Sequence, residues 1–182
     1  MSYSESAAKK TYNYFDQVRS GTRVKAPSIG SMNFVAKNVI IPHMGEIART
    51  SEILLLSENS EREDTSVGAT CVKEWQKVYG DSLRLSVLGH SFGGYAALRL
   101  AKAIKGSVIV DQMLTMDARA MPGEYQYFQT PSNVREHYNY FHKGAVMPGY
   151  AIEGADLNER VHTNHVGVTT DDKVQARFES LL

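Results

Sequence analysis

The stretch from Leu83 to Lys105 constrains the fold more than any other part of the chain. Its first six residues alternate and end apolar, as a buried strand does, and its last eleven show the threefold apolar spacing of a helix. Between them lies Gly-His-Ser-Phe-Gly-Gly, residues 89–94. A sharp strand-to-helix turn strains its central residue and crowds the flanks, so we expect side chains at Gly89 and Gly93 to clash with backbone. The pattern predicts that Ser91 stands at the carboxyl edge of the strand, near the positive end of the helix.

Size and charge indicate a single domain over residues 1–182 and exclude several classes of function. Twenty basic residues balance twenty acidic ones, so nothing favours nucleic acid or an anionic membrane surface as a partner. The lone cysteine, Cys71, cannot form an internal disulfide. No apolar run has the length of a membrane span. The polar start lacks an apolar signal region, so we expect a cytoplasmic location, with signal-less export or a trimmed N-terminus left open.

Predicted strands and helices alternate along the chain, which indicates an α/β fold. We expect a three-layer sandwich, with a mostly parallel sheet of about five or six strands and helices on both faces. We expect residues 1–37 to form a helix and an irregular arm, and segment 120–150 is a candidate for lining a pocket. The predicted helices are 5–19, 66–79, 95–105 and 172–182, and the predicted strands are 38–42, 52–57, 83–88, 108–116 and one within 133–141.

Ser91 needs partners, because a serine hydroxyl is a poor nucleophile until a base removes its proton and a carboxylate orients that base. Asp117 ends an apolar strand at the edge where ligands bind in parallel sheets, whereas Asp111 sits at the other end of the same run. His165, in a loop shortly before the last helix, is our choice of base. His162, three residues earlier, is the alternative.

Two further features belong to the same predicted site. The oxyanion of a tetrahedral intermediate needs backbone N–H groups, one from the residue after the nucleophile and one from the loop after an earlier strand. Phe92 supplies the first, and Met44, in the loop after residues 38–42, is our choice for the second. His137 and His142 lie in an aromatic stretch and are interpreted as pocket-lining residues that do not titrate in the reaction.

Taken together, these residues resemble the lipase and esterase branch of the α/β-hydrolase family, over about Asn38 to Leu182. Residues 88–94 are similar to the turn that carries the family's nucleophile, and residues 110–117 resemble its acid-bearing strand. Where the family often has proline after that acid, this chain has Ala118-Arg119. Three short stretches resemble the tail of small bacterial lipase-like hydrolases: Asn139-Tyr140-Phe141, Glu153-Gly154-Ala155 and Asn164-His165-Val166.

The resemblance implies a minimal α/β-hydrolase fold and a hydrolase that needs no metal and no cofactor. It implies that Ser91 forms an acyl-enzyme with a small ester or lipid, that His165 is the base and that Asp117 orients it. Two alternatives stay open: a thioesterase or other acyl hydrolase, and a non-catalytic protein of the same fold that binds an acyl ligand or a partner. The sequence does not indicate an oligomeric state.

Overall fold

The computed structural model describes residues 35–40, 42, 63–120, 123–124 and 128–181. The predicted helix 5–19 and the predicted strand 52–57 lie outside these residues. Three α-helices are described: α1 (Glu63–Tyr79), α2 (Phe92–Ala103) and α3 (Asp172–Glu179). The strands are β1 (Ser86–His90), β2 (Val110–Met116), β3 (Val134–Phe141) and β4 (Leu157–Arg160). A π-helix spans Ala36–Ile40, and 3₁₀ turns span Gly80–Ser82 and Gly167–Thr170.

Within the described residues the sheet has four strands, all parallel, in the order β1-β2-β3-β4. The register pairs Leu88 with Leu114, Leu114 with Tyr138, and Tyr138 with Leu157. Parallel neighbours need a crossover, and α2 supplies it between β1 and β2. The predicted α/β class with a parallel sheet is confirmed.

Strand β2 is buried because its alternate side chains enter two different apolar clusters. Met113 belongs to a cluster with Leu98 of α2 and with Ile104, which directly follows α2, while Leu114 belongs to a cluster with Phe178 of α3. Successive residues of a strand point to opposite faces of the sheet. The carboxyl end of β2, and the residue that follows it, are therefore held inside the protein.

The prediction of a strand over residues 38–42 is wrong, because Ala36–Ile40 forms a π-helix. Val39 is fully buried in the cluster that also contains α3, and the Asn38 amide nitrogen donates to the Thr169 hydroxyl at 2.8 Å. A short run of β-branched residues signals burial, and burial alone does not separate a strand from a short helix.

The other elements predicted within the described residues exist, with shifted ends. The strand before Ser91 was expected over residues 83–88 and runs from Ser86 to His90, while the helix expected over 95–105 already begins at Phe92. Strand β4 was not predicted, because its Leu-Asn-Glu-Arg sequence is half exposed at the sheet edge and lacks apolar alternation. None of the described helices has the length and apolar character needed to cross a membrane.

Candidate active site

Ser91 occupies a strained turn between β1 and α2. Its φ is 59° and its ψ is −129°, a region that residues other than glycine rarely adopt. Three hydrogen bonds hold this backbone: the Ser91 N–H donates to Met116 O at 3.0 Å, and the Ser91 carbonyl accepts from Gly94 N at 3.0 Å and Arg119 N at 2.9 Å. The turn is thus fastened both to α2 and to the chain that leaves β2.

Glycines around Ser91 allow β1, α2 and the chain after β2 to pack closely together. A Cβ at Gly89 would lie 2.2 Å from Gly93 O, and one at Gly94 would lie 2.6 Å from the Ala118 Cβ. A Cβ at Gly93 meets no described atom within 4 Å, so our prediction of a clash there is wrong. Gly93 lies in the first turn of α2, and the crowded position falls one residue later, at Gly94.

We therefore expect opposite outcomes for two matched substitutions in this turn. Gly89→Ala pushes a methyl group into backbone and should lower the free energy of unfolding by about 1–3 kcal/mol. Gly93→Ala should leave it unchanged or raise it by up to about 1 kcal/mol, since alanine is the better helix former. Urea unfolding followed by circular dichroism measures both, and equal losses in the two variants would contradict the steric argument.

A chain of hydrogen bonds links the three residues that the sequence pattern selected. Ser91 Oγ lies 3.0 Å from His165 Nε2, and His165 Nδ1 lies 2.8 Å from Asp117 Oδ2. Because an ionised carboxylate only accepts, Nδ1 carries the proton, and in a neutral ring Nε2 is then free to accept from the hydroxyl. Ser91 precedes α2 as its N-cap, yet its hydroxyl makes no capping bond and is directed to His165 instead. His162, the alternative base, is exposed to solvent.

Asp117 follows β2 and is completely buried. It has a φ of 51°, and its N–H donates to Tyr140 O at 2.7 Å. A Cβ at Gly149 would lie 2.2 Å from Asp117 Oδ1, so only glycine fits beside this carboxylate. The carboxylate is therefore shielded from solvent and fixed in position.

Asp111, which we rejected as the acid, binds at the opposite edge of the sheet, as expected. Its Oδ2 accepts from Leu85 N at 3.0 Å, and its Oδ1 pairs with Arg135 Nη1 at 2.6 Å. It joins the chain entering β1 to β3, and has a structural role far from Ser91.

His142 also contacts Asp117, and the sequence interpretation missed this. Its Nδ1 lies 2.5 Å from Asp117 Oδ2, and its N–H donates to Asp117 Oδ1 at 2.8 Å. The parallel register pairs Met116 with Tyr140, so the residues that follow β2 and β3 come together. The sequence predicted a strand within 133–141, which His142 directly follows, but it did not predict that this strand pairs with β2.

His90 holds the backbone of His165. Its Nε2 donates to the carbonyl of His165 at 2.7 Å, and the two rings lie 4.6 Å apart between centroids. Burial lowers the pKa of His90 to about 4, so the ring is neutral near pH 7. His90 therefore fixes the loop that carries His165 without adding charge to the site.

One group of side chains has the composition of a metal site. Ligand atoms of Asp117, His142 and His165 all lie within 4.8 Å of one another. Nitrogen and oxygen ligands of a tetrahedral zinc ion would stand about 3.4 Å apart, since each lies about 2.1 Å from the metal. The observed Nδ1–Oδ2 separations of 2.5 and 2.8 Å are those of hydrogen bonds.

An open groove of about 430 Å³ has two lining glycines that pack against the site, Gly149 against Asp117 and Gly144 against His142. Val146 and Met147, in the same stretch of chain, are exposed to solvent, and so is Val166, which directly follows His165. The groove overlaps the end of segment 120–150, where we expected a pocket. It is lined by Phe141, Lys143, Gly144, Pro148, Gly149, Tyr150 and Ala151.

Of the two predicted oxyanion donors, one is described. Phe92 is the first residue of α2, so its N–H has no acceptor within the helix and lies at the positive end of the helix dipole. Met44 lies outside the described residues.

No model of a known protein family matches this chain, and no curated protein matches it. A function for this chain therefore has to be inferred from the geometry and chemistry of the site.

Proposed function

We propose that this chain is a serine hydrolase of the lipase and esterase type, which cleaves carboxylic esters through an acyl-enzyme on Ser91. One observation carries the proposal. A strained serine at the end of a parallel strand has its hydroxyl 3.0 Å from an imidazole whose other nitrogen lies 2.8 Å from a buried carboxylate. A serine, a base and an orienting acid in this order are what acyl transfer requires.

The reaction we propose begins with attack of Ser91 Oγ on the ester carbonyl, while the hydroxyl proton moves to His165 Nε2. Asp117 accepts the Nδ1–H throughout and stabilises the imidazolium. The N–H of Phe92 donates to the oxyanion, with Met44 proposed as the second donor. When the C–O bond of the ester breaks, His165 returns the proton to the leaving alcohol. Water then attacks the acyl carbonyl while His165 takes its proton, and the Oγ–acyl bond breaks as His165 returns that proton to Ser91 and the acid leaves.

We propose that the scaffold is a minimal α/β-hydrolase fold, a three-layer sandwich with helices on both faces of the sheet. Support comes from the two apolar clusters, one shared by β2 with α2 and one shared by β2 with α3. The sequential order of four parallel strands, with the nucleophile after the first of them, also suits this fold.

The groove beside Asp117 supports an ester or lipid with an apolar part as the substrate. Phe141, Pro148 and Tyr150 offer apolar surface along it. Binding sites for small molecules are mostly apolar, with a few placed polar groups. We propose that one side of the ester lies in this groove while its carbonyl faces Ser91.

A fluorophosphonate probe tests the proposal directly, because it reacts with an activated serine. We expect one probe per folded chain, attached to the peptide that contains Ser91, and loss of p-nitrophenyl ester hydrolysis in step with labelling. Ser107→Ala, which removes an exposed serine in the loop after α2, serves as the matched control and should label like the wild type. A folded chain that neither reacts with the probe nor turns over oxygen or sulfur esters would support a ligand-binding protein instead.

A further inference from the structure

His142 makes contacts that no step of the proposed reaction uses. Its backbone N–H and its ring Nδ1 bind the two different oxygens of Asp117, at 2.8 and 2.5 Å. The oxygen that accepts from the His142 ring is Oδ2, which also accepts from His165 Nδ1 at 2.8 Å. Two imidazoles therefore share one carboxylate oxygen.

The His142 ring is fixed on its other side as well. Nε2 lies 3.2 Å from the carbonyl oxygen of Val146, and a Cβ at Gly144 would come within 3.0 Å of Nε2. Only 2% of the side chain is exposed to solvent. The buried surroundings of the ring therefore keep Nδ1 against Asp117, where its N–H donates to the carboxylate.

We propose that His142 is a positioning residue, which fixes Asp117 in place. By donating to the carboxylate, it also weakens the negative charge that stabilises the imidazolium form of His165. This inference rests on the proposed function of Ser91. A carboxylate that already accepts two hydrogen bonds from His142 attracts a proton on His165 less strongly. His165 therefore remains an unprotonated base at lower pH than Asp117 alone would allow.

The charged and titratable groups around the His142 ring are few among the described residues. Asp117 faces Nδ1, and the His165 ring lies 6.2 Å away between centroids. The His90 ring lies 4.6 Å from the His165 ring and is tilted against it. Lys143 is exposed, and its Nζ lies 6.0 Å from the centre of the Phe141 ring. Asp117 is the only carboxylate among these, so removing the His142 donor should act through it.

Ester hydrolysis as a function of pH tests the proposal with two variants of the full chain. In His142→Leu, the pH at which kcat/KM falls to half on the acid side should rise by about 0.5–1 unit, with KM changed less than about twofold. His142→Asn keeps a side-chain N–H near the position of Nδ1 and should restore the wild-type profile. His162→Asn, at an exposed histidine, is the matched control and should change nothing.

Proton NMR supplies a readout that does not depend on turnover. The wild type should show two hydrogen-bonded imidazole N–H signals downfield of the amides, and His142→Leu and His165→Asn should each remove a different one. The role of His142 is wrong if His142→Leu is active and the acid limb of its profile is unchanged, or if the wild type shows only one such signal. In either case the proposed function of Ser91 would stand. If the wild type hydrolyses no ester, the proposed function fails, and the tuning role of His142 fails with it.

Discussion

Ser91→Ala, His165→Ala and the double variant should all hydrolyse p-nitrophenyl esters at least about 10⁴-fold more slowly than the wild type, with similar residual rates. The reason is that the hydroxyl and the imidazole, 3.0 Å apart, act as one unit. Without His165 the Ser91 hydroxyl has no base to remove its proton, and without Ser91 the His165 base has no nucleophile to activate. The loss should appear in kcat, since neither side chain is proposed to hold the ester in the ground state.

His162→Ala is the control for this series, because His162 is exposed and lies three residues before the base. It should keep at least about half of the wild-type kcat/KM, as surface substitutions away from a site do. Full activity in His165→Ala combined with loss in His162→Ala would move the base to His162. If the double variant were far slower than both single variants, the two groups would act independently, and the proposed mechanism would be wrong.

The positions of Ser91 and Asp117 were predictable because each directly follows a recognisable strand. Ser91 follows an apolar strand and precedes a helix, and Asp117 follows another buried strand. Carboxyl ends of parallel strands meet at one edge, so their side chains converge without any knowledge of loop geometry. His165 comes from a loop, and there position relative to the last helix was enough to choose it.

What the sequence did not reveal depends on packing rather than on periodicity. Whether a Cβ fits at a glycine depends on which other segment packs against that residue, so the steric constraint lies at Gly94 rather than at Gly93. The apolar run at Val39 signalled burial correctly but not its helical form. The role of His142 depended on the register between β2 and β3, which fixes what lies beside Asp117.

Acid should destabilise this protein well before its carboxylates are protonated, because two buried histidines are neutral in the folded state. Burial lowers the pKa of both His90 and His137 to about 4 from the ordinary value of 6.5. Between these values the unfolded chain binds a proton at each site and the folded chain does not. Stability is therefore fully present above pH 6.5 and is lost as the pH falls towards 4, by several kcal/mol in total as an order of magnitude.

The contacts of His137 explain why its neutral form is preferred. Its Nε2 lies 2.9 Å from the Thr115 hydroxyl and its Nδ1 lies 2.7 Å from the Thr130 hydroxyl, so neither nitrogen faces a carboxylate. Asp156 binds the His137 backbone N–H and only partly offsets the effect of burial. Hydroxyls can donate to or accept from a neutral ring, but they do not neutralise a buried cation.

Urea unfolding from pH 4.5 to 7.5 measures this dependence, and two variants assign it. His137→Gln should be less stable than the wild type at pH 7, yet lose about half as much stability on acidification, because one of the two sites no longer titrates. His162→Gln, at an exposed site, should keep the wild-type slope. Unfolded Asp and Glu titrate near pH 4, so their linkage lies mainly below this window. A flat profile between pH 4.5 and 6.5, or equal slopes in all three proteins, would mean that His137 accepts a proton in the folded state.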